Sequence, residues 1–530
     1  MLEQYFLYTI YMKKSVLIAM CILSGFLGLF LVQKINLPAA DIGRHIKNGD
    51  VFLHAAEYAV SRSALLHTNF FSFTFPDFPF INHHWGYGII AYLIYSMSGW
   101  TGLSLFYISM MLITFCLLFL LISKKIPLYT SIPLALFLIP LIAERSEIRP
   151  EGISYLLIAV FIFILVRFLE NKITKNYLFI LPILSICWIN MHIYAIFAPL
   201  IVGTFLCESL IRKDWEKVKI FTSITTLCAL GLLLSPYGLS GALYPFKIFE
   251  NYGYMVAENQ SISFLQTLNF INPNFLWWKI SAVIASVCSV LVLMHPQKKS
   301  FPIALGLMTV AFGGLSFFGI RHLTLFGLIL LPFLGSLFHI LLEDSYVQTE
   351  KDTRWAWSII ISIFLVLVIF VRFNDRLPGS SRWGFGLYPR NADSALFVEK
   401  NNISGPFFSN YDIGGLLIFS LFTPERKERV FVDNRPEVYP ESFFFDTYKP
   451  MQENPSVWEE KSKEYNFNAV WFYRLDSTPW AQEFLISLVG NPLWAPVYVD
   501  DFTIIFLKRT EKNNTVITQY ELPRSMFSVQ

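Results

Sequence analysis

Residues 15–32 read SVLIAMCILSGFLGLFLV and follow the basic pair Lys13-Lys14. A helix that crosses a bilayer needs about 20 consecutive apolar residues, and this uncharged run is close to that length. It lacks the small-residue cleavage site that ends a signal peptide, and we interpret it as a retained first membrane helix. The sequence therefore predicts a membrane protein whose first span follows a basic pair.

The composition supports the same class. Hydrophobic residues make up 55% of the 530 residues and charged residues only 15%, whereas soluble domains carry about 25% charged residues. The net charge of +3 is too small to indicate nucleic-acid binding. The six cysteines all lie in apolar runs, and none forms a CxxC pair. They indicate neither a zinc site nor a disulfide framework.

Further apolar runs follow the first, which gives about 11 predicted spans. The predicted spans are residues 15–35, 102–123, 126–143, 152–169, 176–190, 193–211, 219–235, 276–295, 301–319, 322–342 and 355–372. Basic residues are enriched on the cytoplasmic side of membrane proteins. Strict alternation of the spans places every basic cluster between them on one side, which supports the count independently of hydropathy. These clusters are Lys13-Lys14, Lys124-Lys125, Arg167 to Lys175, Arg212 to Lys219, Lys298-Lys299, and Lys351 with Arg354.

The opposite, non-cytoplasmic side then receives the first outer loop, residues 36–101, and the whole tail. The short apolar segment 86–98 would break the alternation as a span, and we predict an interfacial or re-entrant helix there. The predicted domains are residues 1–372, a transmembrane domain with that loop, and residues 373–530, a C-terminal α/β domain. Strands are predicted at 429–433, 469–473 and 497–507, the last with a break at Asp500-Asp501. Helices are predicted at 391–401, 454–464 and 480–489, and a loosely ordered end at 510–530.

Polar residues that could carry chemistry collect at the outer ends of the spans, where they are costly near lipid and suggest function. Asp41 and His45 follow the first span with a spacing that places both on one face of a helix. The other members of this outer set are Asp50, Glu57, Asp77, Asn82, His83, His84, Arg145, Glu147, Arg149, Glu151, Asn190, His192, Arg321 and His322. A carboxylate facing arginines and histidines suits glycosyl transfer from a phosphorylated lipid. The carboxylate can act as general base on a hydroxyl, and the cations can offset the charge of the departing phosphate.

Each of these residues also has a structural interpretation. Asp41 could cap the helix that follows Pro38. Arg145 and Arg149 could be interfacial anchors that pair with Glu147 and Glu151, an interpretation best supported for the outer pair of Arg145 and Glu147. Adjacent histidines such as His83 and His84 point apart in most backbones, and without a third ligand we favour a role other than metal binding. Arg321 and His322 open a helix, where a cation opposes the dipole, and this unfavourable placement favours function.

The ordered set of motifs resembles one family. Residues 41–49, DIGRHIKNG, resemble its D-L-W-W-H-L-x-x-G motif; residues 68–74, TNFFSFT, its D-P-F-S-like turn; and residues 82–85, NHHW, its N-H-E-W motif. Further matches are Arg149-Pro150, WINMH at 188–192, SPYG at 235–238, NYDIGGL at 410–416 and VDNRPE at 432–437. This order resembles a bacterial group within the GT-C class of membrane glycosyltransferases, which also includes protein mannosyltransferases and the aminoarabinose transferase of lipid A.

The resemblance implies a multi-pass protein of the bacterial cytoplasmic membrane that uses a polyprenyl-phosphate-linked sugar as donor and inverts the anomeric carbon. The acceptor would be a glycan, a lipid or a protein outside the cytoplasm. By position, Asp41 would be the base, and Arg149, Arg321 and His322 would contact the donor phosphate. The residues expected to line the cleft are His45, Asp50, His83, His84, Asn190 and His192. Asp41, Arg149 and Arg321 are expected to face one outer cavity that opens to the bilayer.

The departures from the family pattern matter as much as the matches. Gly43 and Arg44 stand where the family has two tryptophans, and His84 stands where it has a glutamate. Without that glutamate, a second acidic role would fall to Asp50, Glu57 or Asp77, or to no residue. The need for a divalent metal is left open. It also leaves a non-catalytic protein of polysaccharide assembly as an alternative. A transporter would need charged residues near mid-membrane, and the outer clustering disfavours it. Two interpretations are open for Asp433 and Arg435. A buried ion pair that organises the tail domain is at least as well supported as a role in the site.

Overall fold

The computed structural model describes residues 2–250, 252–296, 300–342 and 351–527. The basic pair Lys298-Lys299, which the sequence places in a cytoplasmic loop, lies outside these residues, and so does the last part of the predicted loose end, 528–530. Most of the described chain is helical, and a small sheet forms only in the C-terminal region.

The helices follow the apolar runs of the sequence closely. In chain order they are α1 (Leu2–Leu31), α2 (Ile42–Leu53), α3 (Arg62–His67), α4 (Trp85–Ile122), α5 (Leu128–Ile142), α6 (Glu151–Leu169), α7 (Ile180–Ile189), α8 (Phe197–Ile211), α9 (Trp215–Gly231), α10 (Gly238–Leu243), α11 (Ile262–Thr267), α12 (Asn274–Met294), α13 (Ile303–Phe318), α14 (Leu323–Leu342), α15 (Lys351–Arg372), α16 (Asp393–Lys400), α17 (Gly414–Leu421), α18 (Lys449–Glu453), α19 (Pro455–Glu464), α20 (Pro479–Gly490) and α21 (Asn514–Tyr520).

Each predicted span coincides with a helix. Within the described residues, seven helices are long and apolar enough to cross a membrane, and three more are apolar but shorter. The seven are Lys14–Leu31, Trp85–Ile122, Glu151–Leu169, Ile193–Ile211, Asn274–Met294, Ile320–Leu342 and Thr353–Arg372, and the shorter ones are Leu128–Ile142, Lys175–Ile189 and Ile303–Phe318. The predicted helical, multi-pass architecture is therefore confirmed.

Contacts divide the chain into two compact units. The first unit comprises residues 1–33, 104–242 and 256–385, and the second comprises residues 34–103, 243–255 and 386–530. Helix α4 changes unit near a break at Gly99, whose φ of 60° and ψ of −157° are not helical. The apolar segment 86–98 is thus separate from the span that follows it. The predicted domain boundary at residue 372 stays a prediction.

The first unit is a helical bundle. Helix α5 packs against α14 and α15, and α8 packs against α9 and α13. Leu141 and Ile142 on α5 are buried, and Gly327 on α14 lets the two helices approach, since a Cβ there would lie 2.9 Å from Leu141 Cβ. Helix α14 is buried along most of its length, as expected for an apolar helix at the centre of a bundle.

The second unit carries the sheet, with strand order β1-β2-β4-β3. The strands are β1 (Phe407–Phe408), β2 (Ala469–Tyr473), β3 (Trp494–Val499) and β4 (Thr503–Lys508). Strand β1 runs parallel to β2, and the other pairs are antiparallel. The predicted break at Asp500-Asp501 is the turn between β3 and β4, where the Asp500 carboxylate accepts hydrogen bonds from the backbone of Phe502 and Thr503.

Two predictions for the tail are wrong. Residues 429–433 form no regular strand; instead the backbone of Val430 exchanges hydrogen bonds with Phe71 and Phe73 of the first outer loop. The part of the end at 510–527 is ordered, because α21 packs on β3 and Leu522 donates to the Pro496 carbonyl over 2.8 Å. In both cases a distant segment supplies the hydrogen-bond partners, and composition does not reveal such a segment.

The first outer loop and the C-terminal region are held together within the second unit by a close helix pair. Helix α2 packs against α17, and a Cβ on Gly43 would lie 2.8 Å from the Gly415 carbonyl oxygen. A Cβ on Gly415 would lie 2.7 Å from the Ala40 carbonyl oxygen. The glycine at position 43, where the related motif has tryptophan, is therefore explained by packing. The pair brings residue 41 close to the segment that follows α17.

Candidate active site

Asp41 lies at the start of α2, directly after a short 3-10 turn, Leu37–Ala39. Its side chain makes no capping hydrogen bond to the helix backbone. Instead its Oδ1 accepts a short hydrogen bond from the side-chain amide of Asn434. The Asp41 side chain therefore does not cap the helix, in contrast to the structural interpretation.

Asn434 links Asp41 to a second residue of the same helix. The Nε of Arg44 donates to the Asn434 Oδ1 over 3.2 Å, so the amide donates to Asp41 with one atom and accepts from Arg44 with the other. Both partners of Asn434 come from the first turn of α2, about 390 residues earlier in the chain. Sequence reasoning quoted Asn434 only as part of a motif and gave it no role.

Asp433 and Arg435 flank Asn434 and form the buried ion pair that the sequence analysis considered. The Arg435 guanidinium donates to both oxygens of Asp433, over 2.8 and 2.6 Å, and to the Asn69 Oδ1 over 3.0 Å. The Asp433 side chain is fully buried. Burial lowers the pKa of Arg435, but the Asp433 carboxylate outweighs this and raises it above the ordinary value. The pair fixes the segment that carries Asn434.

The predicted histidines of the first outer loop lie together. Ring centroids are 3.9 Å apart for His83 and His84 and 5.1 Å apart for His45 and His84. The expectation that adjacent histidines point apart does not hold for this pair. Within the described residues, however, no group of three or more His, Cys, Asp or Glu side chains is arranged to hold a metal ion.

Asp50 takes part in a local network on the same helix. Its carboxylate accepts from the Lys47 ammonium over 2.9 Å, from the Tyr58 hydroxyl over 2.6 Å, and contacts the His54 ring over 3.1 Å. Burial raises the pKa of Asp50, but the hydrogen bonds from Tyr58 and Lys47 lower it below the ordinary value overall. These contacts hold the loop after α2 and give Asp50 a structural role.

Asp412 is the other titratable group of interest in the second unit. Burial, with Asp476 and Asp41 nearby, raises its pKa to about 7. Burial also raises the pKa of Glu437. The second unit thus contains carboxyl groups whose protonation changes nearer to neutral pH than that of an ordinary carboxylic acid.

The first unit contains a separate cluster of cations and carboxylates. Arg145 contacts Glu258 over 2.8 Å and Glu151 over 3.3 Å. Arg321 contacts Glu151 over 3.2 Å, and Arg149 contacts Glu258 over 3.1 Å. Burial raises the pKa of Glu258, but Arg145 and Arg149 outweigh it and hold the pKa well below its usual range. Three guanidinium groups therefore share two carboxylates, Glu151 and Glu258.

A third carboxylate touches this cluster from the solvent side. Glu147 contacts the Arg149 Nε over 2.8 Å, and its side chain is 64% exposed. The structural interpretation paired Arg145 with Glu147; instead Arg145 pairs with the buried Glu151 and Glu258. Sequence reasoning did not single out Glu258, because a lone glutamate in a long outer loop carries no local signal.

The remaining predicted residues of the first unit make neutral contacts. The His322 ring contacts the Tyr194 hydroxyl over 2.9 Å. The His192 Nδ1 contacts the Ser154 hydroxyl over 2.8 Å, and burial lowers the pKa of His192 to about 4, so its ring is neutral at pH 7. Asn190 donates to the carbonyl groups of Ile186 and Leu234, which makes it a structural link between two spans.

Solved structures of similar fold were found, although no protein-family model and no curated protein matches the chain. One is the archaeal oligosaccharyltransferase AglB from Archaeoglobus fulgidus in complex with an inhibitory peptide and a dolichol-phosphate. It matches with a TM-score of 0.61 and 12% identity over 91% of this chain and 73% of that chain. The chain shares its fold with an oligosaccharyltransferase. The predicted GT-C-like architecture is therefore confirmed.

Two further structures were compared. The Archaeoglobus fulgidus oligosaccharyltransferase in complex with Zn and sulfate gives a TM-score of 0.55 and 12% identity over 92% of this chain and 73% of that chain. The match to ArnT from Cupriavidus metallidurans bound to undecaprenyl phosphate covers 95% of this chain and 98% of the ArnT chain at 11% identity. Its TM-score of 0.44 is too low to support an argument. The shared GT-C-like fold does not define the roles of individual residues, and the expectation that Asp41, Arg149 and Arg321 face one cavity stays a prediction.

Proposed function

We propose that this protein is a membrane glycosyltransferase that transfers a sugar from a polyprenyl-phosphate-linked donor to an acceptor outside the cytoplasm. Support comes from the fold shared with an oligosaccharyltransferase whose structure holds a dolichol-phosphate. The observation that carries the proposal is the state of Asp41: its carboxylate makes no helix-capping bond and is held by a neutral side-chain amide. A carboxylate in that state can still accept a proton.

In the proposed reaction, an Asp41 oxygen takes the proton of an acceptor hydroxyl. The hydroxyl oxygen attacks the anomeric carbon of the donor sugar and forms the new glycosidic bond with inversion. The bond between the anomeric carbon and the phosphate oxygen breaks, and its electron pair stays on the phosphate. Asn434 is a positioning residue in this scheme, because its amide fixes the orientation of Asp41.

The donor phosphate would be bound by Arg149 and Arg321, with His322 beside it. Guanidinium groups suit phosphate because their planar donors match its oxygens. With Glu147 on Arg149, three guanidinium groups of this cluster face three carboxylates, and the phosphate would take the place of Glu147, the exposed one of the three. The bilayer supplies the donor, and the C-terminal region is proposed to lie on the same, non-cytoplasmic side as the first outer loop.

The experiment compares two aspartate-to-asparagine variants of the second unit. Asp41→Asn is expected to reduce sugar transfer in membranes by about 10²–10⁴-fold, the typical contribution of a general base, at unchanged protein abundance. Asp446→Asn is the matched control, since Asp446 is an exposed residue of the same unit, and full activity is expected. Full transfer by Asp41→Asn would overturn the assignment of the base.

The alternative is a non-catalytic protein of polysaccharide assembly on the same scaffold. One observation favours it: His84, at the position of the family glutamate, packs its ring on His83 and His45 and offers no carboxylate. The same assay separates the two functions. Absence of transfer by the wild-type protein with every polyprenyl-phosphate sugar tested would support the alternative, and any transfer lost in Asp41→Asn would exclude it.

A further inference from the structure

The loop that leads from α11 into α12 in the first unit exposes a group of large apolar side chains. Leu268, Phe270 and Ile271 are 55%, 44% and 92% exposed. On α11 itself, Phe264 is 40% exposed, whereas Ile262 is fully buried. The segment thus has one apolar side that packs within the unit and a second that is left uncovered. Large apolar side chains exposed together are typical of an interaction surface.

Side-chain contacts fix the position of this segment along α12. The Lys279 ammonium, in the second turn of α12, donates to the Gln266 Oε1 of α11 over 3.1 Å. The centroid of the Phe270 ring lies 6.2 Å from that of Phe275, in the first turn of α12. Both contacts are made to Asn274–Met294, one of the helices long and apolar enough to cross a membrane. The segment therefore lies beside the first two turns of a span and not beyond its end.

These two turns of α12 carry residues that favour the boundary between water and lipid. Trp277, Trp278 and Lys279 follow one another there. Tryptophan is enriched at membrane interfaces, and lysine keeps its charge at the headgroups while its stem contacts apolar surface. Further along, α12 exposes a stripe of apolar side chains that suits contact with lipid: Ile280, Val283, Val287, Val290 and Leu291. The uncovered side of the loop thus lies at the level where the lipid-facing surface of α12 begins.

We propose that residues 262–271 insert into the headgroup region of the bilayer on their own side, with Leu268, Phe270 and Ile271 in contact with acyl chains. An interfacial segment of this kind buries its apolar side chains in lipid and keeps its polar ones at the headgroups. The polar residues of the segment are exposed too, as this position requires: Ser263, Gln266, Thr267 and Asn269. The inference does not depend on the proposed sugar transfer, because it follows from exposure and from the contacts with α12. It has a consequence for the arginine cluster, since the segment begins four residues after Glu258 and would bring that cluster close to the lipid surface.

The experiment measures the depth of a spin label on the full-length protein in vesicles of phosphatidylethanolamine and phosphatidylglycerol. A variant without the six native cysteines carries Ile271→Cys, and a nitroxide is attached there. Its collision rates are measured with oxygen, which concentrates in the bilayer, and with a nickel chelate, which stays in water. Val287→Cys, on the exposed stripe of α12, is the reference for lipid, and Arg382→Cys, at a charged position that is 60% exposed, is the reference for water. The ratio of the oxygen rate to the nickel rate at residue 271 should exceed that at residue 382 several-fold.

A second measurement keeps the native cysteines and decides alone should the cysteine-free protein fail to fold. The photoreactive residue p-benzoylphenylalanine replaces Phe270, and irradiation in the same vesicles is expected to give lipid adducts of single protein chains. Equal collision ratios at residues 271 and 382, or irradiation without any lipid adduct, would overturn the proposal. Cross-linked dimers in place of lipid adducts would also overturn it and would assign the surface to a second copy of the chain.

Discussion

The carboxylates of the two units are held in different ways. In the first unit, Glu151 and Glu258 each accept contacts from more than one guanidinium group. In the second unit, Asp41 accepts its short hydrogen bond from the neutral amide of Asn434. The carboxylates of both units lie near the predicted outer ends of spans. They differ in whether charged guanidinium groups or a neutral amide donate to them.

This difference bears on the two roles that the proposed sugar transfer would need, a site for phosphate and a base. Several guanidinium groups around a carboxylate hold its pKa low and make it a poor base, as the lowered pKa of Glu258 illustrates. In the proposed reaction, the arginines of the first unit would bind the phosphate, and Asp41 of the second unit would take the proton.

The largest effect on stability is expected when the ion pair of the second unit is broken. Asp433→Ala leaves the Arg435 guanidinium buried without its carboxylate, and the free energy of unfolding should fall by about 3–5 kcal/mol. Chemical or thermal unfolding of the purified protein measures this change. Asp446→Ala serves as the exposed control and should change stability by about 0.5 kcal/mol or less. A loss of under about 1 kcal/mol in Asp433→Ala would show that water reaches Arg435.

The next largest effect is expected in the first unit. Arg149→Gln removes charged hydrogen bonds worth about 1.5–3 kcal/mol each, so kcat/KM for the lipid-linked donor should fall about 10–100-fold, mainly through KM. Glu147→Gln is the control. Its carboxylate is largely exposed and contacts Arg149. In the proposed site it would compete with the phosphate, so donor use should stay unchanged or improve. Equal KM values in Arg149→Gln and wild type would remove Arg149 from the phosphate site.

A glycine of the second unit tests how Asp41 is positioned. In Gly415→Ala the new Cβ would meet the Ala40 carbonyl oxygen at 2.7 Å, and overpacking of this kind costs about 1–3 kcal/mol. Because Ala40 precedes Asp41, we expect transfer to fall in parallel with stability. Gly490→Ala, with open space around its Cβ, is the matched control. Activity in Gly415→Ala equal to that of Gly490→Ala would mean that the α2–α17 contact does not position the base.

Much of the fold could be predicted from the sequence because its signals are local. Apolar runs marked every predicted span, and the β-branched and aromatic run at 469–473 became β2 with the predicted bounds. Asp500 appeared as a strand break because a short polar residue favours a turn. The bounds of the tail helices also agree to within about two residues, which is the accuracy that helix-end signals allow.

The partners of the site residues could not be predicted in the same way. Asn434 meets Asp41 and Arg44 across about 390 residues, and Glu258 meets Arg149 across 109. Hydropathy and spacing describe residues that are close in sequence, and one sequence gives no signal for such distant pairs. The strand predicted at 429–433 was wrong for the same reason. Its segment does not join the sheet, and Val430 instead bonds to Phe71 and Phe73, which lie far away in the sequence.

The last prediction concerns pH and the second unit alone. The pKa of Asp412 is about 7 in the folded protein, against an ordinary value of 3.8. The folded state therefore binds more protons than the unfolded state between these values, and the contribution of Asp412 to stability falls as pH rises from about 4 to about 7. Asp412→Asn removes this contribution. Relative to the wild type, the variant should become more stable with rising pH, by an amount on the order of a few kcal/mol, since each of the roughly three pKa units corresponds to about 1.4 kcal/mol.

The test measures the unfolding temperatures of Asp412→Asn and the wild type at intervals across this pH range. Only the difference between the two proteins is interpreted, because the other carboxyl groups titrate in both. Asp446→Asn should run parallel to the wild type throughout. A difference between Asp412→Asn and wild type that stays constant with pH would show that Asp412 is ionised in the folded protein. Asp41 would then face a permanent negative charge on Asp412 in the folded protein, and the proposed base would act next to a second carboxylate.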